Sequence, residues 1–493
     1  MCLPAMFPTP LCIPAVSIEA VVSIYLAAAH SLTPVDDEDE WDHCPAYAQG
    51  PIWLPPFMGS RPLANDAIDP PPDASRSGAG LCCAKQLKKS GVPFVLLEAA
   101  DEVGGRVRTD KYEGFTLDHG FQIFLTSYPE VKDQLDYEAL DLKPFYAGAD
   151  VHWNGGFHRV ADPFRHPLDG VASIPNAIGS PLDKVRVGLV RLAAVVQSSD
   201  GIFQAEETTI EKRLRELSFS EEMIDRFFRP FLGGIFFDNK LQTTSRLFTF
   251  VMRMLALGSN CLPAAGIAAV SNQLVAGLPG EAVRTGARVA EVRSASGETP
   301  SSVVLADGTV ISASKGVVVA VEGPEAGRLL GTSLDSAPSQ KGSGVGTACI
   351  YFAAPKPYNH DAILYLNGDG KGLVNNCTFL SNVAPSYAPP GQALLSVSVV
   401  GIPDMTDDEL IEAVKEELAD WFGKEQPASW RPLKVYRIPF SQPPQSPPTN
   451  AARSVRLGGC LYVCGDHRET ATLDGAFKSG RRAAEAICED AQS

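Results

Sequence analysis

Three short groups of residues in this chain could bind a nucleotide, and they lie far apart. The first is Glu98, which closes an apolar run over 92–97 and falls 18 residues after Gly80. In a nucleotide-binding βαβ unit, a carboxylate at that offset hydrogen-bonds a ribose hydroxyl. The second group, Gly104-Gly105-Arg106, follows directly. Adjacent glycines let backbone amides approach a pyrophosphate, and an arginine adds charge-assisted hydrogen bonds. The third is Gly465-Asp466, placed after a short apolar run and ahead of a helical segment that begins near Leu473 and holds Asp474-Gly475-Ala476. A helix N-terminus presents free amides and a positive dipole end to an anionic or carbonyl group.

The elements that must carry these residues are only half complete. Residues 81–90 have helical periodicity and 92–97 read as a continuous apolar strand, so together they form the second half of a βαβ unit. The first half should be an apolar strand running into GxGxxG. Instead Pro70, Pro71 and Pro72 lead into Ser75-Arg76-Ser77-Gly78-Ala79-Gly80. If Gly80 is the third glycine, Ser75 and Ser77 stand at the first two positions. If Gly78 and Gly80 are the first two, Cys83 stands at the third. Three successive prolines cannot donate to a central sheet ladder, and serines add bulk where the turn needs room. Two explanations stand: an incorrect first exon joined near Gly78, which the abrupt change of composition favours, or a divergent, non-catalytic paralogue without its cofactor.

Strand, glutamate and Gly-Gly-Arg in this order, with the C-terminal strand, Gly-Asp and helix, resemble the superfamily of flavin amine oxidases and phytoene desaturases. Carotenoid desaturases and protoporphyrinogen oxidases belong to it. The resemblance runs from Gly78 to the C-terminus. It implies an FAD-dependent oxidoreductase in which Asp466 bonds the ribitol chain and Asp474, Gly475 and Ala476 bring a helix end to the flavin. Gly78, Gly80, Glu98, Gly104, Gly105, Arg106 and Gly465 would hold the rest of the cofactor. By the same resemblance Val289 offers its backbone to the adenine edge, and Gly120, in the segment 114–131, lies against the flavin ring. His119, Gln122 and Phe124 would then face the substrate, although Phe121 and Phe124 suit a core equally well.

The branch within the superfamily is read partly from absences. Amine oxidases of this kind hold a lysine near flavin N5, on a strand that here corresponds to 346–352, where Thr347 or Ala348 stands instead. They also place an aromatic side chain before the terminal helix, and this chain has Thr472 and Leu473. The aromatic, apolar segment 222–258, interrupted by Gly233-Gly234, matches the substrate roof of desaturases, or equally a buried helical core. A desaturase-like enzyme passing hydride from a hydrophobic substrate to flavin N5 is therefore expected, with oxygen or a quinone as acceptor. Amine or polyamine oxidation is the alternative.

The expected fold is α/β: a discontinuous Rossmann-like FAD-binding domain (73–125, 259–324, 446–493) interleaved with a mixed α+β substrate domain. The latter combines a helical part over 126–258 with a sheet over 325–445. Short strands are expected at 287–292, 302–305 and 316–320, with Asp307-Gly308 as a hairpin turn. Residues 1–72 are proline-rich, acidic over 36–40 and without Lys or Arg before Arg61, which predicts a mostly disordered or non-native segment. Its apolar stretch 16–29 contains Glu19 and is shorter than the roughly 20 residues of a spanning helix.

A net charge of −16 and a pI of 5.0 exclude electrostatic nucleic-acid binding. The 11 cysteines lack a repeated spacing, which suggests reduced thiols. Cys460 and Cys464, four apart on an expected strand, should share a face, yet no further ligand completes a metal site. Plastid residence and peripheral membrane contact are implied by the resemblance alone. The N-terminal composition supports no transit peptide, which leaves the cytoplasm as the alternative.

Overall fold

The computed structural model describes residues 20–24, 78–331 and 345–492. Its first layer is a six-stranded sheet in the order Val283–Arg284, Phe94–Glu98, Ala20–Ile24, Val317–Val319, Leu461–Val463, Arg456–Gly458. All pairings are parallel except the last, at the edge. Parallel strands of this kind are covered on their faces, which explains the continuous apolar runs.

Ala20–Ile24 is the central strand. Val22 pairs with Leu96 on one side and Val318 on the other. The expectation of disorder over 1–72 therefore fails at these five residues. The strand that the prolines could not supply comes from further upstream, where a short β-branched run fits between two others. Ser75, Ser77 and Pro70–Pro72 lie outside the described residues. The helix Gly78–Lys89 crosses the terminal helix Leu473–Asp490 at close range: a Cβ on Gly480 would fall 2.0 Å from the Ala79 carbonyl oxygen. Glycine at that crossing is a packing requirement.

A three-stranded antiparallel sheet, Val289–Arg293, Ser301–Leu305 and Val310–Ala313, carries the expected turn at Asp307-Gly308, with Gly308 at φ +85°. The largest sheet has seven strands in the order Arg431–Gln442, Val345–Ala354, Ala393–Val400, Val374–Phe379, Leu364–Asn367, Gly148–Trp153, Gly156–Ala161. The hairpin 148–161 thus belongs to this sheet, and the segment 126–258 is not purely helical. Parallel pairing of Leu364–Asn367 with Gly148–Trp153 joins the two halves of that region. Helix Asp407–Phe422 covers one face through Leu410, Val414 and Leu418, all fully buried.

Two local expectations are corrected. Gly233-Gly234 do not interrupt their helix but sit inside Arg229–Phe236, where a Cβ on Gly234 would meet Asn375 Oδ1 at 2.6 Å. Cys460 is an exposed turn residue at φ +55° whereas Cys464 is buried, so the pair shares no face. Among the described residues no cluster of ligands could hold a metal ion.

Candidate active site at the junction of the sheets

The C-terminal ends of the parallel strands bring the three sequence groups together. Glu98 ends its strand fully buried, and its Oε1 accepts the Ala100 amide at 2.9 Å. The Glu98 carbonyl accepts the Ala287 amide, which brings the strand containing Val289 beside it. Val289 is itself fully buried and paired with Leu305. Gly104 and Gly105 turn at φ +123° and +71°, a backbone that favours glycine, and a Cβ on Gly104 would fall 2.8 Å from Ser271 Oγ.

Arg106 and Asp466, assigned from sequence to different parts of the cofactor, form one ion pair. Arg106 Nη2 lies 2.7 Å from Asp466 Oδ2, and Nη1 donates to the Ser441 carbonyl at 2.6 Å. Burial alone would lower the arginine's pKa, but Asp466 outweighs it and the guanidinium is held above its ordinary value. Asp466 Oδ1 is buried without a hydrogen-bond partner among the described residues. A buried carboxylate oxygen left in that state is costly. A ribityl hydroxyl would satisfy it.

The terminal helix begins as the sequence indicated. Thr472 caps it by accepting the Gly475 amide at 3.0 Å, and a Cβ on Gly475 would lie 2.2 Å from the Thr470 carbonyl oxygen. Asp474 turns elsewhere: its Oδ1 accepts the amides of Glu130 and Val131 at 2.8 and 3.3 Å. Burial pushes its carboxyl up to about 6. Ala476 lines the cavity beside this helix end, as do Gly78 and Gly120. Gly80 is buried in the first turn of its own helix. Gly465 donates its amide to Ser479 Oγ at 2.8 Å, and two residues on His467 lies in the interior, where burial pushes the imidazole down to about 4.

The cavity itself has a volume of about 320 Å³, in the range of small-molecule sites. Phe121, Phe145, Phe231, Val251, Leu255 and Ile438 give it an apolar wall, and Phe121 packs edge-on to Phe145 at 6.2 Å. His119 and Gln122 line it as expected. Phe124 does not: it is 1% exposed, pairs its strand with Cys261 and packs on Tyr137, so it belongs to the core. Thr347, Thr472 and Leu473 all line the cavity, and among the described residues no lysine does.

One titratable pair, His119 in the lining and Asp110 behind it, could not be read from spacing. His119 Nε2 lies 2.8 Å from Asp110 Oδ1, while Lys434 Nζ and the Tyr436 hydroxyl donate to Asp110 Oδ2, each at 2.8 Å. Burial opposes ionisation of Asp110, but these three contacts outweigh it and hold the carboxyl well below its usual range. An ionised Asp110 fixes the His119 proton on Nε2 and leaves Nδ1 as an acceptor. Sequence reasoning also missed Asn376, a buried strand residue in the lining whose Nδ2 donates to Asn375 Oδ1 at 2.7 Å. Its partner strand lies more than two hundred residues from His119, and no local signal marks it.

Residues 79–488 match the family described as flavin containing amine oxidoreductase. The chain belongs to that family. It is 22% identical over 468 residues to the 15-cis-phytoene desaturase of Glycine max, an alignment covering 84% of this chain and 78% of the relative. An oxidoreductase from Methanosarcina mazei shares the fold at a TM-score of 0.63 and 16% identity, over 84% of this chain and 98% of the other. Putrescine oxidase bound to putrescine does so at a TM-score of 0.59 and 18% identity, over 83% and 97%.

Membership makes the protein an FAD-dependent oxidoreductase with an α/β fold. The residues present fit that cofactor. Asp466 Oδ1 needs a donor, and Gly104 and Gly475 leave no room for a side chain. Glu98, Gly104, Gly105, Arg106, Gly120, Gly465, Asp466, Gly475 and Ala476 are the residues that would hold FAD.

Proposed function

We propose that the protein desaturates an apolar substrate, removing hydride from one carbon and a proton from its neighbour to leave a double bond. The character of the cavity carries this reading: an aromatic and aliphatic wall, with Thr347 and the Thr472-Leu473 pair where an amine would need a lysine and a ring. When bound, FAD supplies the hydride acceptor, and oxygen or a quinone takes the electron pair onward. The apolar wall excludes water and orients the substrate. His119 takes the proton at Nδ1, with Asp110 stabilising the imidazolium from the other side. The relative named a chloroplastic and chromoplastic desaturase supports the substrate class and suggests plastid residence. No helix among the described residues is long and apolar enough to cross a membrane.

Two assays test the proposal. Anaerobic bleaching of the flavin by isoprenoid or tetrapyrrole substrates, but not by amines, is expected. Peroxide release from a panel of mono-, di- and polyamines would overturn it in favour of amine oxidation. A colourless protein that fails to take up added FAD would remove the enzymatic reading of this chain altogether.

A further inference from the structure

We propose that Asn376 selects the substrate: its side-chain carbonyl accepts a hydrogen bond from the molecule that enters the cavity. On the apolar-substrate reading, on which this rests, that molecule is apolar in its body but carries an O–H or N–H group, and is not a plain hydrocarbon. Asn376 lies on the strand Val374–Phe379 and is 4% exposed, yet it lines the cavity, and its Oδ1 is buried without a hydrogen-bond partner among the described residues. A polar atom left so within an aromatic and aliphatic wall is costly until a ligand pairs with it. Asn260, on the strand Asn260–Pro263, repeats the condition: it lines the same cavity, and its Oδ1 is likewise buried and unpartnered among the described residues.

Neighbouring residues on a strand normally point to opposite faces. A β-bulge between Val374 and Asn376 breaks that alternation, and the side chains of Asn375 and Asn376 both reach the helix Arg229–Phe236. A Cβ on Gly234 would fall 2.6 Å from Asn375 Oδ1 and 2.7 Å from Asn376 Nδ2, and one on Gly233 would fall 2.5 Å from Asn239 Oδ1. The Gly233-Gly234 pair is thus a recess that admits three amides, in a helix otherwise rich in large apolar side chains. Bulges of this kind occur beside active sites, where they re-aim a side chain.

The three amides form one chain of hydrogen bonds. Asn375 Nδ2 donates to Asn239 Oδ1 at 3.3 Å, and Asn376 Nδ2 donates to Asn375 Oδ1 at 2.7 Å. The chain starts at the exposed Asn239, and its last acceptor, Asn376 Oδ1, is left over at the residue that lines the cavity. A relay that only fastened the helix to the sheet would end on a satisfied group or give way to apolar packing. Arg106, Asp466 and Gly475, which would hold FAD, come from the parallel sheet's end and the terminal helix, whereas Asn376 belongs to the seven-stranded sheet. That leaves the substrate as the partner. An alcohol or a pyrrole N–H supplies the missing donor, and a hydrocarbon supplies none.

Binding to the FAD-loaded full chain with its flavin already reduced, so that no hydride can pass, tests this through quenching of protein fluorescence. The probes are a long-chain isoprenoid hydrocarbon, the alcohol of the same carbon skeleton, and a porphyrinogen. The parent should bind the alcohol or the porphyrinogen at least ~10-fold more tightly than the hydrocarbon, and which of the two it prefers tells a hydroxyl from a pyrrole N–H donor. Asn376→Leu should erase that preference while its flavin-to-protein ratio stays that of the parent. A parent that prefers neither donor over the hydrocarbon would overturn the proposal, and this comparison needs no variant to fold. So would a variant that keeps the preference, or one that loses FAD instead. The same probes added without oxygen to the oxidised protein report bleaching. A donor probe bound with the expected preference, on a flavin that no probe bleaches, would sink the desaturation reading and leave Asn376 in its role.

Discussion

Asp466 has one carboxylate oxygen held by Arg106 and the other buried without a partner among the described residues, a state that a bound hydroxyl would relieve. Asp466→Ala should weaken FAD by roughly 10- to 100-fold, since hydrogen bonds to charged groups contribute about 1.5–3 kcal/mol. The flavin-to-protein ratio after dialysis measures this, and an unchanged ratio would remove Asp466 from the cofactor site. For His119 the test is kinetic. His119→Gln should lower kcat by about 100-fold or more with little change in KM, and flatten one limb of the pH profile, as loss of a general base does. A parallel loss of stability without that change of profile would make His119 a structural partner of Asp110. At this scale the sequence singled out Arg106 and Asp466, which the structure pairs, because Gly-Gly-Arg and Gly-Asp are local motifs whose chemistry depends on neighbours in the chain. Phe124 was misassigned because aromatic residues fill cores and cavities alike.

At the scale of elements, the order of strands in the parallel sheet depends on Ala20–Ile24. A central parallel strand is bonded on both sides, so its loss separates Phe94–Glu98 from Val317–Val319. Val22→Pro removes a ladder donor and should cost about 3 kcal/mol or more, read as a lower melting temperature and poor flavin retention. A variant as stable as the parent would show that this strand does not build the sheet. Proline and acidic content elsewhere in 1–72 hid the strand, which lies within the apolar stretch 16–29 and is too short to carry a clear periodicity. The helix Pro181–Val196 shows the opposite problem. Its period is plain in the sequence, yet Leu182, Leu189 and Val196 on the apolar stripe are exposed, because the neighbours a helix packs against decide which side faces solvent.

Over the whole molecule, two buried groups bend stability with pH in opposite senses. The His467 imidazole has its pKa pushed down to about 4, so its contribution is complete above about 6.5 and is lost as pH falls toward 4. Asp474, pushed up to about 6, contributes stability that is complete below about 3.8 and is lost as pH rises through 6. Each amounts to about 3 kcal/mol at most, and between pH 4 and 6 they offset each other. Asp474→Asn keeps an Oδ1 for the Glu130 and Val131 amides but no longer titrates. Its melting temperature should therefore fall more steeply than the parent's between about pH 6.5 and 4. Parallel curves for the two proteins would rule out this balance.

The sequence by itself determined the superfamily, the cofactor and the start of the terminal helix at Leu473, because each rests on residues within a few positions of one another. Tertiary structure alone decided three things. It placed the first strand upstream of the damaged loop, paired Arg106 with Asp466, and set His119 against Asp110, Lys434 and Tyr436. Each joins residues that are distant in the chain, and such contacts follow from how the sheets pack, which local periodicity does not encode. The parallel sheet thus has its central strand, and Arg106, Asp466 and the start of the terminal helix lie at its carboxyl end.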